Sequence, residues 1–422
     1  MKSADIIVLP GTLSGHVAAI PSKSHAQRIL IAAALADQPT QVKLSRSTTL
    51  SDDLNTTLQT LRFLGATTQA ESDHITVTPS STLGDRSSSI TVDCGQSAAT
   101  ARLLLPILAA VHVRGTLTGS GSLLNRPFAP LCAALAAGAL SCDRHTLPIT
   151  WQAHTNDRLQ AADFQLPGDE SSQYLSGLLF ALPLLAADST IQLTTPLQSA
   201  GYVDLTLAVL RQFGITVQCT DDQAAESVHY RIAGGQRYTS PGSISVEGDW
   251  SNSANWLAAG LTVTGLNPHS LQRDRSFSAI KDQPEIDATD IPDLVPILAV
   301  CAALRRGQTR IYGIKRLRLK ESDRIKTTHA LLQALGCEVY ASDNQLLICG
   351  SGTITGGTVD AAGDHRIVMA AAIAGSYAST AVKIVGADAV TKTYPDFFTD
   401  YCHLGGQLGG RLGDQAAGQV MG

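Results

Sequence analysis

None of the eight cysteines belongs to a CxxC pair; they stand singly at 94, 132, 142, 219, 301, 337, 349 and 402. That spacing excludes zinc-ribbon and thioredoxin-like sites. The Ala, Leu, Ile or Val beside most of them points to buried, reduced, structural thiols. No apolar run reaches membrane-spanning length without a polar or charged interruption. Neither sign of charge dominates: 31 Lys and Arg stand against 36 Asp and Glu, a formal net charge of −5. No basic excess therefore advertises nucleic acid or an anionic membrane. The opening MKSADIIVLPGTLSG is too polar, and too soon broken by Pro and Gly, for a signal peptide, so a cytoplasmic protein is expected. Lys23-Ser24 lacks the glycines of a phosphate loop, and GSGS at 119–122 completes no dinucleotide fingerprint.

What is present is a long, soluble, globular chain. Its 422 residues are 44% hydrophobic and 16% charged, too long for one ordinary core and suited to two domains. The chain repeats itself. One recurring segment is an apolar helix opened by a polar turn. Ser24–Arg28 precedes ILIAAALA, Ser97–Arg102 precedes LLLPILAA, and Ser171–Gln173 precedes YLSGLLFALPLLA. In the second half Ser251–Ser253 precedes ANWLAAG, Asp290–Asp293 precedes LVPILAVCAAL, and Asp364–Arg366 precedes IVMAAAIAG. Helices apolar on nearly all faces belong in domain centres, and their polar first turns supply partners for N–H groups that the helix leaves open.

The second recurring segment is an amphipathic helix ending at Gly: Leu54–Leu64 at Gly65, Ala129–Ala137 at Gly138, Val203–Phe213 at Gly214, and Arg324–Leu335 at Gly336. β-rich stretches such as HITVTP, ITVQC and LLIC follow. The first three of these Gly are 73 and 76 residues apart, but the next is 122 residues on. One copy is therefore shortened, and Leu266–Glu285, with two Pro and no helical period, occupies its place. The spacing implies an α/β protein of two similar domains, each of three βαβα-plus-hairpin units around buried helices. The Pro and Gly of QRYTSPG, residues 236–242, suggest a crossing between units three and four.

Cations gather where the buried helices open. Lys23, Arg28, Arg102, Arg126, Lys320, Arg324, Arg366 and Lys392 all lie in such turns or short loops. Any one of them alone reads as a solvated or salt-bridged surface residue. Eight in equivalent positions of a repeat point instead to a small, multiply charged anion held at helix N-termini.

Several of these segments together resemble the EPSP synthase family of enolpyruvyl transferases. They are Ile20–Arg28 (IPSKSHAQR), Asn125-Arg126-Pro127, Ser171–Ser176, Val246–Asp249, Asp290–Asp293, Lys320–Arg324 (KESDR), Asp364-His365-Arg366 and Lys392–Asp396. They follow the family's order along almost the whole chain. The resemblance implies an inverse α/β barrel-like fold and transfer of the 1-carboxyvinyl group of phosphoenolpyruvate to the 5-hydroxyl of shikimate 3-phosphate. It places that reaction in chorismate and aromatic amino acid biosynthesis, without metal or organic cofactor. The implied partners are these two small molecules, with no nucleic acid and no membrane, and the implied state is a monomer.

By the same resemblance Ser24, Arg28, Ser171, Ser172, Ser199, Tyr202, Asp293 and Lys320 hold shikimate 3-phosphate. Lys23, Ala98, Arg126, Gln173, Arg324, Arg366 and Lys392 hold phosphoenolpyruvate. Both substrates carry a phosphate and a carboxylate, which Arg contacts bidentately. Addition followed by elimination needs a base at the hydroxyl, an acid at the methylene and cations at the departing phosphate. Asp293 is assigned as the base, with Glu321, and Lys23 as a second candidate, serving the methylene. Local sequence also allows Asp293 as a helix cap, Glu321 as an i,i+3 partner of Arg324, and His365 as either an orienting or a structural residue.

Two positions depart from the family pattern. Gln96-Ser97-Ala98-Ala99 replaces its Asn-Ala/Ser-Gly-Thr, and Arg316 replaces an Asn before the KESDR lysine. Ala98 in place of Gly adds a methyl group at a helix opening, so tolerance of the inhibitor glyphosate is expected. The sister family acting on UDP-N-acetylglucosamine carries a reactive Cys before the Arg-Pro motif. Gly119–Asn125 (GSGSLLN) has none, and Cys132 lies beyond that motif. A catalytically dead homologue serving as a binding protein is the other alternative, and the retained acids and cations argue against it. The domains are expected at 20–237 and at 1–19 with 238–422, crossed twice by the chain, with the active site in the cleft between them and closure on substrate.

Overall fold

The computed structural model describes residues 5–81, 89–154, 158–222 and 227–409; residues 1–4 and 410–422, assigned above to the second domain, lie outside them. The described residues form twelve α-helices. In chain order they are α1 (Lys23–Leu35), α2 (Asp52–Leu61), α3 (Ala98–Val111), α4 (Ala129–Ala137), α5 (Ser172–Ala181) and α6 (Ala200–Gln212), then α7 (Trp250–Ala258), α8 (Phe277–Ile280), α9 (Val295–Leu304), α10 (Arg324–Ala334), α11 (His365–Tyr377) and α12 (Phe397–His403).

The odd-numbered helices are the six apolar segments of the sequence. In α3, Leu103, Leu104, Leu105, Ile107 and Leu108 are all fully buried, each contributing about 1.5–3 kcal/mol over an exposed position. Four of the six openings are capped by side chains. Ser97 accepts from the Thr100 N–H, Ser171 from Gln173, Asp249 from Asn252 and Asp364 from Arg366. Pro106 sits inside α3 and has no N–H for the Arg102 carbonyl one turn back. That carbonyl lies against Gly177 of α5, where a Cβ would come within 2.5 Å of it. Glycine lets the two helix backbones approach this closely.

Each complete repeat is a strand, a buried helix, a parallel strand, an amphipathic helix and a hairpin. In the second repeat Ile90–Asp93 pairs in parallel with Arg114–Thr118, which is antiparallel to Ile149–Ala153, itself antiparallel to Leu140–Cys142. The third (163–232) and fifth (285–351) repeats have the same order. The fourth is truncated: a 3-10 turn, Arg273–Ser276, and the single helical turn of α8 replace a full helix, and Thr262–Thr264 has no hairpin beside it. The sheets are separate, open and at most four-stranded, so the architecture is α/β with helices inside and no closed barrel among the described residues.

The described residues form two compact units: those within Ser22–Ser47 and Asp52–Val246, containing α1–α6, and those within Met1–Pro21, Thr48–Ser51 and Glu247–Gly422, containing α7–α12. The repeats close by exchanging strands. Ser243–Ser245, which precedes α7, pairs with Thr40–Lys43 of the first repeat. His16–Ala18, which precedes α1, pairs with Thr262–Thr264 of the fourth. Ile6–Leu9 completes the sixth repeat, lying between Val382–Val385 and Gln407–Gly409. The boundary therefore falls after Val246, not after residue 237. Tyr238 is buried and donates to the Phe180 carbonyl within the α1–α6 unit. Thr48 and Thr49 join the other unit by donating to Asp396 at 2.8 and 2.9 Å, so the chain passes between units more often than the two crossings expected.

α4 ends at Gly138 as the sequence implies, with Gly138 at φ −87° and Ala139 in the left-handed region at φ 59°. Gly138 is required by crowding, since a Cβ would lie 2.5 Å from Leu159. Only Cys94 and Cys132 are buried; Cys219 is exposed and the other five are half-buried.

Candidate active site

In the α1–α6 unit hydroxyls, carbonyls and rings meet Arg28 and Arg102, and a carboxylate meets Lys23. Lys23, in the first turn of α1, pairs with Asp53 of α2 at 2.8 Å. Arg28 is buried one turn on. Its Nε donates to Thr206 at 2.7 Å, its Nη1 to the Ser24 carbonyl at 2.8 Å, and its guanidinium lies over the Tyr202 ring. Burial, only partly offset by Tyr202, pushes Arg28 down to about 10, the behaviour of a cation that lacks a carboxylate partner. Arg102 is likewise buried, donating to Gln173 Oε1 at 3.2 Å and to the Pro127 carbonyl at 3.1 Å between Phe128 and Tyr174. Arg126 follows a 3-10 turn, Gly121–Asn125, and is also buried. Ser171 and Ser172 open α5, and Ser199 precedes α6 in the left-handed region at φ 57°. Ala98 is the first residue of α3 and is 4% exposed.

The corresponding elements of the α7–α12 unit build a network of opposite charges. Arg324, at the start of α10, is 1% exposed. Its Nε donates to Asp364 at 2.9 Å, its Nη1 to Asp293 at 2.8 Å and its Nη2 to Glu321 at 2.8 Å. Burial opposes its charge, but Asp364, Glu321 and Asp293 outweigh burial and hold it firmly protonated. Asp293 also faces Arg366 at 3.4 Å and Lys320 at 3.6 Å. Burial alone would raise its carboxyl; Lys320, Arg366 and Arg324 together hold it well below the ordinary carboxylate range. Lys320 follows the 3-10 turn Lys315–Leu319, and burial brings it down to about 8 despite Asp293. Lys392 ends a further 3-10 turn, Ala387–Lys392, and is buried. Arg366 reaches Asn252 at 3.4 Å.

The structure decides between several readings that the sequence left open. Asp293 lies inside the 3-10 turn Pro292–Leu294, and the cap position of the following α9 is Leu294. Glu321 does form the i,i+3 pair with Arg324. His365 is buried as the first residue of α11, its Nδ1 4.0 Å from Asp364. Arg316 donates to the Thr289 carbonyl at 2.7 Å. Arg324 is the hub of the network, with every nitrogen engaged by a carboxylate. Within the α1–α6 unit Arg102 joins Gln173, and within the α7–α12 unit Asp293, Lys320, Glu321, Arg324 and Arg366 come together. Sequence reasoning missed Asp53, Asp274 and the bridging role of Asp364. Asp364 carried a signal, an N-cap aspartate just before His-Arg and an apolar run; Asp53 stands thirty residues from Lys23 with no local cue.

Solved structures show the class of fold. The chain matches the EPSP synthase of Acinetobacter baumannii with a TM-score of 0.76 at 22% identity, covering 96% of this chain and 100% of that one. It matches the enolpyruvyl transferase NikO of Streptomyces tendae with a TM-score of 0.72 at 18% identity, covering 96% and 99%. The fold is that of the enolpyruvyl transferases. Sequence comparison is more specific. The profile of EPSP synthase (3-phosphoshikimate 1-carboxyvinyltransferase) matches residues 8–282 and 260–401. The 3-phosphoshikimate 1-carboxyvinyltransferase of Clostridium kluyveri is 34% identical over 431 residues, 96% of this chain and 98% of the relative. That of Clostridium acetobutylicum is 35% identical over 427 residues, 94% and 97%. The chain belongs to the EPSP synthase family. Among the described residues no helix is long and apolar enough to cross a membrane.

Proposed function

We propose that this protein transfers the 1-carboxyvinyl group of phosphoenolpyruvate to the 5-hydroxyl of shikimate 3-phosphate and releases phosphate. The observation that carries the reading is the cluster of Asp293 and Glu321 with Lys320, Arg324 and Arg366. It joins two carboxylates able to move protons to cations able to hold a departing phosphate. Ser24, Arg28, Ser171, Ser172, Ser199 and Tyr202, with Lys320 and Asp293, hold shikimate 3-phosphate. Lys23, Ala98, Arg126, Gln173, Arg324, Arg366 and Lys392 hold phosphoenolpyruvate.

In this mechanism Asp293 removes the proton of the attacking hydroxyl as the oxygen bonds to the phosphate-bearing enol carbon of phosphoenolpyruvate. Glu321 or Lys23 delivers a proton to the methylene carbon. The tetrahedral adduct then loses a proton from the resulting methyl group and expels phosphate. Three cations make free Asp293 a weak base. The substrates' anions draw on the same cations, and sharing Lys320 and Arg366 raises the basicity of Asp293 when the reactants are present. The domain assignment follows the two compact units. The reaction runs between small molecules in the cytoplasm, and the enzyme is a monomer.

The test is phosphate release from phosphoenolpyruvate in the presence of shikimate 3-phosphate, of UDP-N-acetylglucosamine, or of neither. Release that requires shikimate 3-phosphate is the expected result. Release with the sugar nucleotide instead, or none with either acceptor, overturns the reading.

A further inference from the structure

The truncated fourth repeat has a carboxylate that the mechanism above does not use. Asp274 lies in the 3-10 turn Arg273–Ser276 that replaces a full helix, and it is 3% exposed. It accepts a hydrogen bond from the Ser251 hydroxyl in the first turn of α7, and among the described residues it forms no ion pair. The next residue of α7, Asn252, receives the Arg366 guanidinium. Among the charged groups whose fields reach Asp274 are Asp293 from the opening of α9, Asp249 at the cap of α7, and Arg366 of α11. The acid is thus buried on Ser251, beside the residue that Arg366 reaches.

A buried carboxylate without a paired counterion favours its neutral form. Here burial, then Asp293, raise Asp274 to about 7, against the opposing pull of the Ser251 hydrogen bond and Arg366. Arg366 is the nearby positive charge that favours its anionic form. Any anion docked on Arg366 offsets that field.

Resting on the reading of Arg366 as a phosphoenolpyruvate contact, we propose that Asp274 is a positioning residue that balances charge, taking up a proton when an anion binds Arg366. The proton comes from solvent, no covalent bond of the substrate changes, and the buried site avoids holding an added anion beside an unpaired carboxylate.

Calorimetric titrations of inorganic phosphate and, separately, phosphoenolpyruvate, each in two buffers of different ionisation enthalpy at pH 7.5, read the proton directly. Wild type should take up about half a proton more per anion bound than Asp274→Asn, a difference that cancels the anion's own ionisation, and its affinity should fall about threefold more between pH 7 and 8 than that of Asp274→Asn. Asp274→Asn keeps an acceptor for Ser251 and should lose most of that uptake. Should it fail to fold, Ser251→Ala removes the hydrogen bond favouring the anion and should move the pH of maximal uptake upward. Equal uptake in wild type and Asp274→Asn, an unmoved maximum in Ser251→Ala, or anion binding without uptake overturns the proposal while leaving the proposed activity intact. Proton-linked phosphate binding by a protein that shows no phosphate release would overturn the activity and support this site. Wild type that binds neither anion overturns the proposal, and phosphate-release turnover then decides the activity separately.

Discussion

The two units place cations at matching helix openings and neutralise them by different means. In the α1–α6 unit Arg28 and Arg102 rest on hydroxyls, carbonyls and aromatic rings, and Lys23 has Asp53. In the α7–α12 unit Arg324 and Arg366 are held by Asp364, Glu321 and Asp293. A guanidinium held by neutral dipoles keeps its field available to an incoming anion. One bound by carboxylates is already compensated, but its carboxylates are placed to exchange protons. The first arrangement leaves a cation's field open, and the second sets carboxylates beside its cations, built on one repeat by changing a few side chains.

Asp293→Asn breaks the comparison most sharply. The amide keeps the shape and loses the base, so turnover should fall about 10² to 10⁴-fold; steady-state kinetics showing near-normal turnover removes Asp293 from its role. Asp364→Asn should cost about 3–5 kcal/mol of stability by urea denaturation, because it leaves buried Arg324 undercompensated. In the other unit Asp53→Asn should cost only about 1–3 kcal/mol, since Lys23 is 16% exposed and solvent can reach it. Equal losses would mean that the two units do not differ in this way.

Ala98→Gly probes the α1–α6 unit. Ala98 opens α3, and removing its methyl should increase inhibition by glyphosate about tenfold to a hundredfold at fixed phosphoenolpyruvate. Strong inhibition of wild type, or no gain on reversion, contradicts the expectation. The smallest effect concerns pH. Lys320 lies near about 8 in the folded protein, below the ordinary lysine value of about 10.4. Between those values the unfolded chain binds more protons at this site, so stability rises with pH. Lys320→Met should remove about 1 kcal/mol of that rise, allowing for solvent that reaches the side chain. Identical pH–stability profiles for variant and wild type would show that burial does not depress Lys320.

The six buried helices were legible because their signal is local: a polar turn followed by ten or so apolar residues can settle only in a core. The shortened fourth repeat was legible from the spacing of Gly alone. Cations at helix openings were visible for the same reason, since helix termini attract polar residues within one turn. What escaped were pairings between distant residues. Lys23 meets Asp53 across two helices, Arg324 meets Asp364 forty residues on, and Asp274 sits in a stretch whose only sequence feature was lost periodicity.

By itself the sequence determined the period of the repeat, the burial of its odd-numbered helices and the gathering of cations at their openings. All follow from side-chain chemistry within a few residues of one another. Only the tertiary structure decided which strands close which repeat, that Ser243–Ser245 and His16–Ala18 are exchanged, and which cations are held by carboxylates and which by hydroxyls and rings. Strand pairing and charge pairing depend on distances between segments far apart in the chain, and no local pattern of residues encodes those distances.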